Sequence, residues 1–142
     1  MRQELDKEMN DEITVQARPD AVPRVVEFVS AFGREMAFTE ARLGEIALAL
    51  EEALGNIIRF ACPEGSEEIR VTCRAHEMGS IALNIVDSGR PFNMLVVSTF
   101  PEVAGGTDEI PSTRIMKKAI RDVEYRRDGD GRKNILAWII SR

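Results

Sequence analysis

Glu52 and Asn56 stand four residues apart in the stretch TEARLGEIALALEEALGNIIRFAC, which runs from Thr39 to Cys62. On a helix that spacing projects both side chains from one face, one turn above the other. An asparagine carbonyl is a hard, neutral oxygen that suits Mg²⁺, an ion that takes few protein ligands and keeps its waters and substrate phosphates. A glutamate beside it can orient or deprotonate an attacking hydroxyl. Taken alone the pair means little, because Glu and Asn on helices are far more often solvated or structural, as Glu51 next door reads. A second group is Asp87-Ser88-Gly89, at the end of an apolar run. A buried carboxylate there can accept from an exocyclic amine, and a glycine two residues on lets a flat ring approach the backbone. The competing reading is an ordinary turn, which the same three residue types favour.

A third group is the Gly105-Gly106 loop that leads towards Ser112. Glycines followed by unpaired N–H groups at a helix start can cradle phosphates. Here TDEIP intervenes, and Asp108 and Glu109 would repel an anion. The fourth group is basic: Arg114, Lys117, Lys118, Arg121, Arg126 and Arg127. Most of these fit a solvated helix face.

The elements that must position these residues are legible from periodicity. Leu43, Ile46, Ala47, Leu50, Leu54, Ile57, Ile58 and Ala61 recur at steps of three and four, so Thr39 to Cys62 is expected to be a core helix with Thr39 as its N-cap. Gly55 interrupts it at a cost of about 1 kcal/mol relative to alanine. Something beside Glu52 and Asn56 must therefore tolerate or need a missing side chain. Ahead of this helix, Glu12 to Arg18 alternates as an edge strand. Pro19, Asp20 and Pro23 open a helix whose stripe is Val22, Val25, Val26, Val29 and Phe32, with Gly33 near its end. Ile69 to Ala75 and Ile81 to Asp87 alternate as a hairpin, with His76 solvated in its loop. Asn93 to Pro111 has no regular pattern and reads as a lid or mobile loop. A third helix is expected from Ser112 as N-cap, with Ile115, Met116, Ala119 and Ile120 inward. VEYRRD and KNILAWIIS then form a last hairpin around DGDGR. Helices on one face of a largely antiparallel sheet make a two-layer α+β sandwich.

At 142 residues the chain fits one domain, 1–142, with 1–10 flexible, and is long enough to bury a core unaided. The net charge of -5 argues against binding nucleic acid by phosphate neutralisation. The N-terminus lacks a signal-peptide core and no stretch is apolar enough to span a membrane, so a cytoplasmic protein is expected. Cys62 and Cys73 are then free buried thiols rather than a disulfide, and one histidine leaves no Cys/His zinc set.

Taken in order, EEALGNIIRFACPEG, VDSGRPF, a glycine-bearing loop and RDVEYRRDGDGRKNIL resemble a GHKL (Bergerat-fold) ATPase domain. More narrowly, the set resembles the anti-sigma-factor serine/threonine protein kinases of bacterial partner-switching systems. The resemblance covers nearly the whole chain, and its specificity lies in the ordered set. It implies a Bergerat sandwich with helices on one face of a mostly antiparallel mixed sheet, and Mg-ATP as cofactor. Glu52 is implied as the base on a serine hydroxyl, Asn56 as the magnesium ligand, and Arg59 as a basic residue near the phosphates. Asp87 matches the aspartate that reads the adenine amine and Gly89 its companion; Asn93 stands where an aspartate is common. Gly105, Gly106 and Ser112 fall to the phosphate lid. Ile110 and Ser112 occupy positions that are usually glycine, Pro111 lacks an N–H donor, and Ala137 stands where the family has a Thr or Ser touching the adenine network. The implied partner is a STAS-type anti-anti-sigma protein or a sigma factor, with a homodimer through the second helix and first strand. The rival expectation is a degenerate binding module that keeps the fold and has lost phosphoryl transfer or nucleotide binding.

Overall fold

The computed structural model describes residues 10–96 and 111–142. Gly105, Gly106 and Ile110, most of the expected lid and nearly all of the expected flexible terminus lie outside the described residues. Five strands form one sheet in the order β1-β2-β3-β5-β4: β1 Asn10–Gln16, β2 Glu68–Ala75, β3 Ile81–Asp87, β4 Asp122–Arg127 and β5 Asn134–Ile140. All four pairings are antiparallel, so the mixed sheet is resolved as an antiparallel one. β1 lies at an edge, as its short alternating pattern suggested. Ile69, Val71, Cys73, Ile81, Leu83, Ile85, Leu136, Trp138 and Ile140 are all buried and pack in one core with the helices. Alternation along each strand places this set on one sheet face, and the helices cover it.

Helix α1, Val22–Glu35, follows a 3₁₀ turn at Pro19–Ala21 and buries Val25, Val29, Phe32 and Gly33. Gly33 lies two residues before its end, near it as expected. A Cβ on Gly33 would come 2.5 Å from Leu43 Cδ2, so this glycine lets α1 press against the next helix. Ala37 ends α1, at φ 66°. The Phe38 N–H returns to the Gly33 carbonyl at 3.0 Å and the Ala37 N–H to Arg34 at 3.0 Å, a Schellman closure with buried Phe38 beneath it.

Helix α2, Glu40–Asn56, is capped by Thr39, whose side chain accepts the Arg42 N–H at 3.1 Å. It continues into a wide π turn, Ile57–Ala61, closed by the Cys62 N–H on the Ile57 carbonyl at 2.8 Å. The helical stretch therefore reaches Cys62 as the periodicity indicated. Ala49 and Ala53 join its buried stripe, while Ala47 is only half-buried. Gly55 does not break the helix. A Cβ there would meet nothing within 4 Å, so packing among the described residues does not require its missing side chain.

Helix α3, Arg114–Ala119, is shorter than expected, and its N-cap is Thr113 rather than Ser112. Met116 and Ile120 are buried, but Ile115 is 43% exposed, because so short a helix presents only one turn to the core. Arg42 ties α2 to its far end, donating to the Ala119 carbonyl and to Ser141 at 2.9 Å each. Both cysteines are free and buried, and His76 is exposed in the β2–β3 turn.

Candidate functional site

β3 ends on Asp87, which is 2% exposed although it carries a carboxylate. Register explains the placement: Asp87 pairs with Asn134 at the start of β5, and both side chains fall on the helix-covered face. Asn134 Nδ2 donates to Asp87 Oδ1 at 2.9 Å and the Gly89 N–H donates to the same oxygen at 2.8 Å. The Cys62 thiol lies 3.7 Å from it. Every donor to Asp87 among the described residues thus converges on Oδ1. Oδ2 takes no hydrogen bond among the described residues.

Burial pushes the Asp87 carboxyl above its ordinary range, against the opposing pull of the Asn134 and Gly89 bonds, the Cys62 thiol and the charge on Arg127. Cys62 is pushed up to about 12, by burial first and by the Asp87 charge second. At neutral pH it is a thiol and a donor, an inert wall of the pocket.

Asn134 is the hub of this half of the site, and sequence reasoning missed it. Its Oδ1 accepts from Tyr125 Oη at 2.5 Å, Arg127 at 2.9 Å and the Phe92 N–H at 3.2 Å, while its Nδ2 also donates to the Arg90 carbonyl at 2.8 Å. No local signal names it: β3 and β5 are not consecutive in the chain, and only their register sets Asn134 opposite Asp87. Ala137, set by the resemblance on the adenine network, is a correction. It pairs with Asn84 and Glu124, three residues along β5 from Asn134, and therefore projects from the opposite face of the sheet. Arg127, grouped with the solvated basic face, is half-buried and donates to the Gly89 carbonyl at 3.1 Å.

Gly89 is needed by the fold itself. A Cβ there would lie 2.3 Å from the Ala61 carbonyl oxygen and 2.7 Å from Cys62 Sγ. The Arg90 N–H closes this contact by donating to Ala61 at 3.0 Å. The π turn ending α2 is therefore pressed onto the loop after β3, and Phe60 stacks on Phe92 at 5.6 Å beside it.

Glu52 and Asn56 share one face of α2, and the structure brings Ser112 to both. Asn56, 6% exposed, donates from Nδ2 to the Ser112 carbonyl at 2.7 Å, with Met94 Sδ at 3.9 Å. Glu52 Oε2 accepts from Ser112 Oγ at 3.0 Å, and Oε1 accepts the Met116 N–H at 2.8 Å. One carboxylate thus caps the Met116 N–H of α3 from outside its own chain segment, beside Ser112, whose Oγ accepts the Arg114 N–H at 3.5 Å. Asn56 Oδ1 takes no hydrogen bond among the described residues, and no cluster of three His, Cys, Asp or Glu residues among them could hold a metal by itself. A cation at Asn56 would have to complete its shell with waters or ligand oxygens, the habit of Mg²⁺.

Arg59, on the turn that ends α2, is exposed. It lines a surface hollow of about 430 Å³ with Ala17, Arg18, Pro19, Pro63 and Glu64, and its guanidinium lies 6.0 Å from the Phe60 ring centroid. Lys117 reaches from α3 to the Leu95 carbonyl at 3.2 Å.

Residues 15–138 match the family described as the histidine kinase-like ATPase domain. No protein of curated function matches the sequence at a significant level. Among solved structures, the RsbU and RsbW domains of a Mycobacterium tuberculosis protein superpose with a TM-score of 0.63 at 13% identity, covering 92% of this chain and 32% of that one. The histidine kinase domain of an Erythrobacter litoralis blue-light activated histidine kinase superposes with a TM-score of 0.52 at 14% identity, covering 89% of this chain and 61% of that one. The chain thus spans under two thirds of the length of either neighbour, and at these identities the likeness is one of fold. Among the described residues no helix is long and apolar enough to cross a membrane.

Proposed function

The chain belongs to the histidine kinase-like ATPase domain family, and from that premise we propose that it is a cytoplasmic regulatory serine/threonine protein kinase of the anti-sigma-factor type. It binds Mg-ATP and phosphorylates or sequesters a STAS-type anti-anti-sigma protein or a sigma factor. The observation that carries the reading is the buried Asp87 carboxylate, held by Asn134 and Gly89 through one oxygen only. Burying a carboxylate is costly unless its acceptor sites are used, and an adenine amine would use the second oxygen. The RsbW domain in the similar Mycobacterium tuberculosis structure supports the choice of partner class.

The remaining residues fit the same chemistry. Asn56 would hold magnesium through Oδ1, its Nδ2 being committed to Ser112. Magnesium when bound supplies charge neutralisation across the phosphates. Glu52 would orient the attacking hydroxyl and receive its proton, and Gly89 keeps the floor of the pocket closed against Ala61. A second reading is favoured by one specific observation. Glu52 and Asn56 are both bonded to the 112–116 segment, which suits a binding module that no longer transfers phosphate.

The two readings separate in a transfer assay with a purified STAS-domain protein, labelled Mg-ATP and either the wild-type chain or Glu52→Gln. The glutamine still accepts the Met116 N–H through its carbonyl, so α3 stays capped. The kinase reading expects label on the partner with wild type and none with Glu52→Gln, at similar ATP affinity. Loss of binding and transfer together would refute the division of labour. A stable complex with no label from the wild type selects the binding module.

A further inference from the structure

Resting on the kinase reading of the same site, we infer that Ser112 is itself a phosphoacceptor, modified within one chain. The proposal comes from the company this hydroxyl keeps. Ser112 is exposed, so its side chain is not spent on packing. Its Oγ donates to Glu52 Oε2 at 3.0 Å, and among the described residues it is the only hydroxyl that reaches Glu52. A general base must lie within hydrogen-bond reach of the proton it abstracts, and this pair meets that condition as it stands. Its backbone is also held, because the Ser112 carbonyl accepts from Asn56 Nδ2 at 2.7 Å. The residue proposed as magnesium ligand therefore fixes the serine that the proposed base addresses.

Glu52 is held in turn. Its other oxygen accepts the Met116 N–H at 2.8 Å, which limits rotation of the carboxylate and keeps Oε2 turned towards Ser112. A structural cap needs only one of these contacts. The second contact places an alcohol, a carboxylate and an amide in the order that phosphoryl transfer to serine requires.

In the step itself Ser112 Oγ forms a bond to the γ-phosphorus of ATP, and the bond from that phosphorus to the β,γ-bridging oxygen breaks with its electron pair leaving on ADP. The hydroxyl proton passes to Glu52. The product is a phosphoserine dianion beside an acidic side chain, and like charges at that distance repel. The Ser112–Glu52 contact is lost in the product, so one chain takes up one phosphoryl group and stops.

The test incubates the full chain with Mg²⁺ and γ-labelled ATP, with intact mass and peptide mapping as readouts and calorimetric ATP binding measured on the same samples. The expected result is one phosphoryl group per chain on Ser112, at a rate unchanged by dilution. Ser112→Ala and Glu52→Gln should take up none, the latter while still binding ATP, and Ser112→Thr should restore uptake at that position. A wild-type chain that binds ATP and gains no phosphoryl group overturns the inference and leaves the kinase reading standing. Label that persists in Ser112→Ala, or a rate that falls on dilution, overturns it equally. Failure of the wild type to bind ATP would remove the kinase reading and this inference with it.

Discussion

Replacing Gly89 with alanine sets a methyl group against the turn that ends the long helix. The added Cβ lies 2.3 Å from the Ala61 carbonyl oxygen, 2.7 Å from the Ala61 carbonyl carbon and 2.7 Å from Cys62 Sγ. Two of those atoms are backbone, so no rotamer change relieves the clash. Gly89 is not among the glycines with positive φ, which makes the penalty one of space and not of backbone conformation. Overpacking of this kind costs about 1–3 kcal/mol. The shift that relieves it also stretches the Gly89 N–H bond to Asp87 at 2.8 Å and the Arg90 N–H bond to Ala61 at 3.0 Å. Each such bond contributes about 1 kcal/mol, so losing both brings the whole change to about 3–5 kcal/mol. Urea unfolding followed by the fluorescence of the single tryptophan, buried Trp138, reads this as a lower midpoint at an unchanged slope. A loss below about 1 kcal/mol, the size of an average substitution, would show that the α2 end yields easily and would refute the reasoning.

Gly55→Ala should behave in the opposite way: its Cβ meets nothing within 4 Å, so the variant should gain about 1 kcal/mol from helix propensity. Gly44→Ala on the same helix is equally open and serves as its control; destabilisation of Gly55→Ala alone in urea unfolding would reveal a neighbour of Gly55. Asn134→Ala leaves the half-buried Tyr125 hydroxyl without its partner, takes one of two acceptors from Arg127 Nη1 and removes one donor from buried Asp87, and an unpaired buried group costs about 1–3 kcal/mol. Thermal unfolding checks this, and a wild-type midpoint would contradict it. Asp87 also sets a pH dependence. Because burial raises its folded pKa above the ordinary 3.8, the folded state holds this proton more tightly than the unfolded chain. Its contribution to stability is fully present below 3.8 and is lost as pH rises through the raised folded value. Urea midpoints across that window should fall less steeply in Asp87→Asn than in the wild type, and identical slopes would contradict the burial argument.

Much of the fold was legible because the chemistry that forms it is local. Thr39 caps α2 through its own side chain, and alternation in Ile81–Asp87 and Asn134–Ile140 marks strands whose bounds the structure keeps closely. What escaped depends on pairing. That Asn134 faces Asp87 while Ala137 faces away follows from register, which a resemblance in one dimension does not carry. Ser112 accepts the Arg114 N–H only at 3.5 Å, and the shorter cap, on the Met116 N–H, comes from Glu52, far away in sequence. Gly33 and Gly89 are explained by what lies against them, Leu43 and Ala61, and no local pattern names those neighbours. In the structure Glu52 and Asn56 are both bonded to the 112–116 segment, and Asp87 is bonded to Gly89, so the ordered motifs fall into two clusters.

In the proposed function Asp87 forms the base-recognition end of a nucleotide site. Calorimetric titration of the chain with ATP and ADP, each with and without Mg²⁺, beside an Asp87→Asn variant shown to be folded, tests it most directly. The expected result is magnesium-dependent binding of ATP by the wild type and its loss in Asp87→Asn. No heat of binding at millimolar nucleotide, or equal affinity in the two proteins, would contradict it.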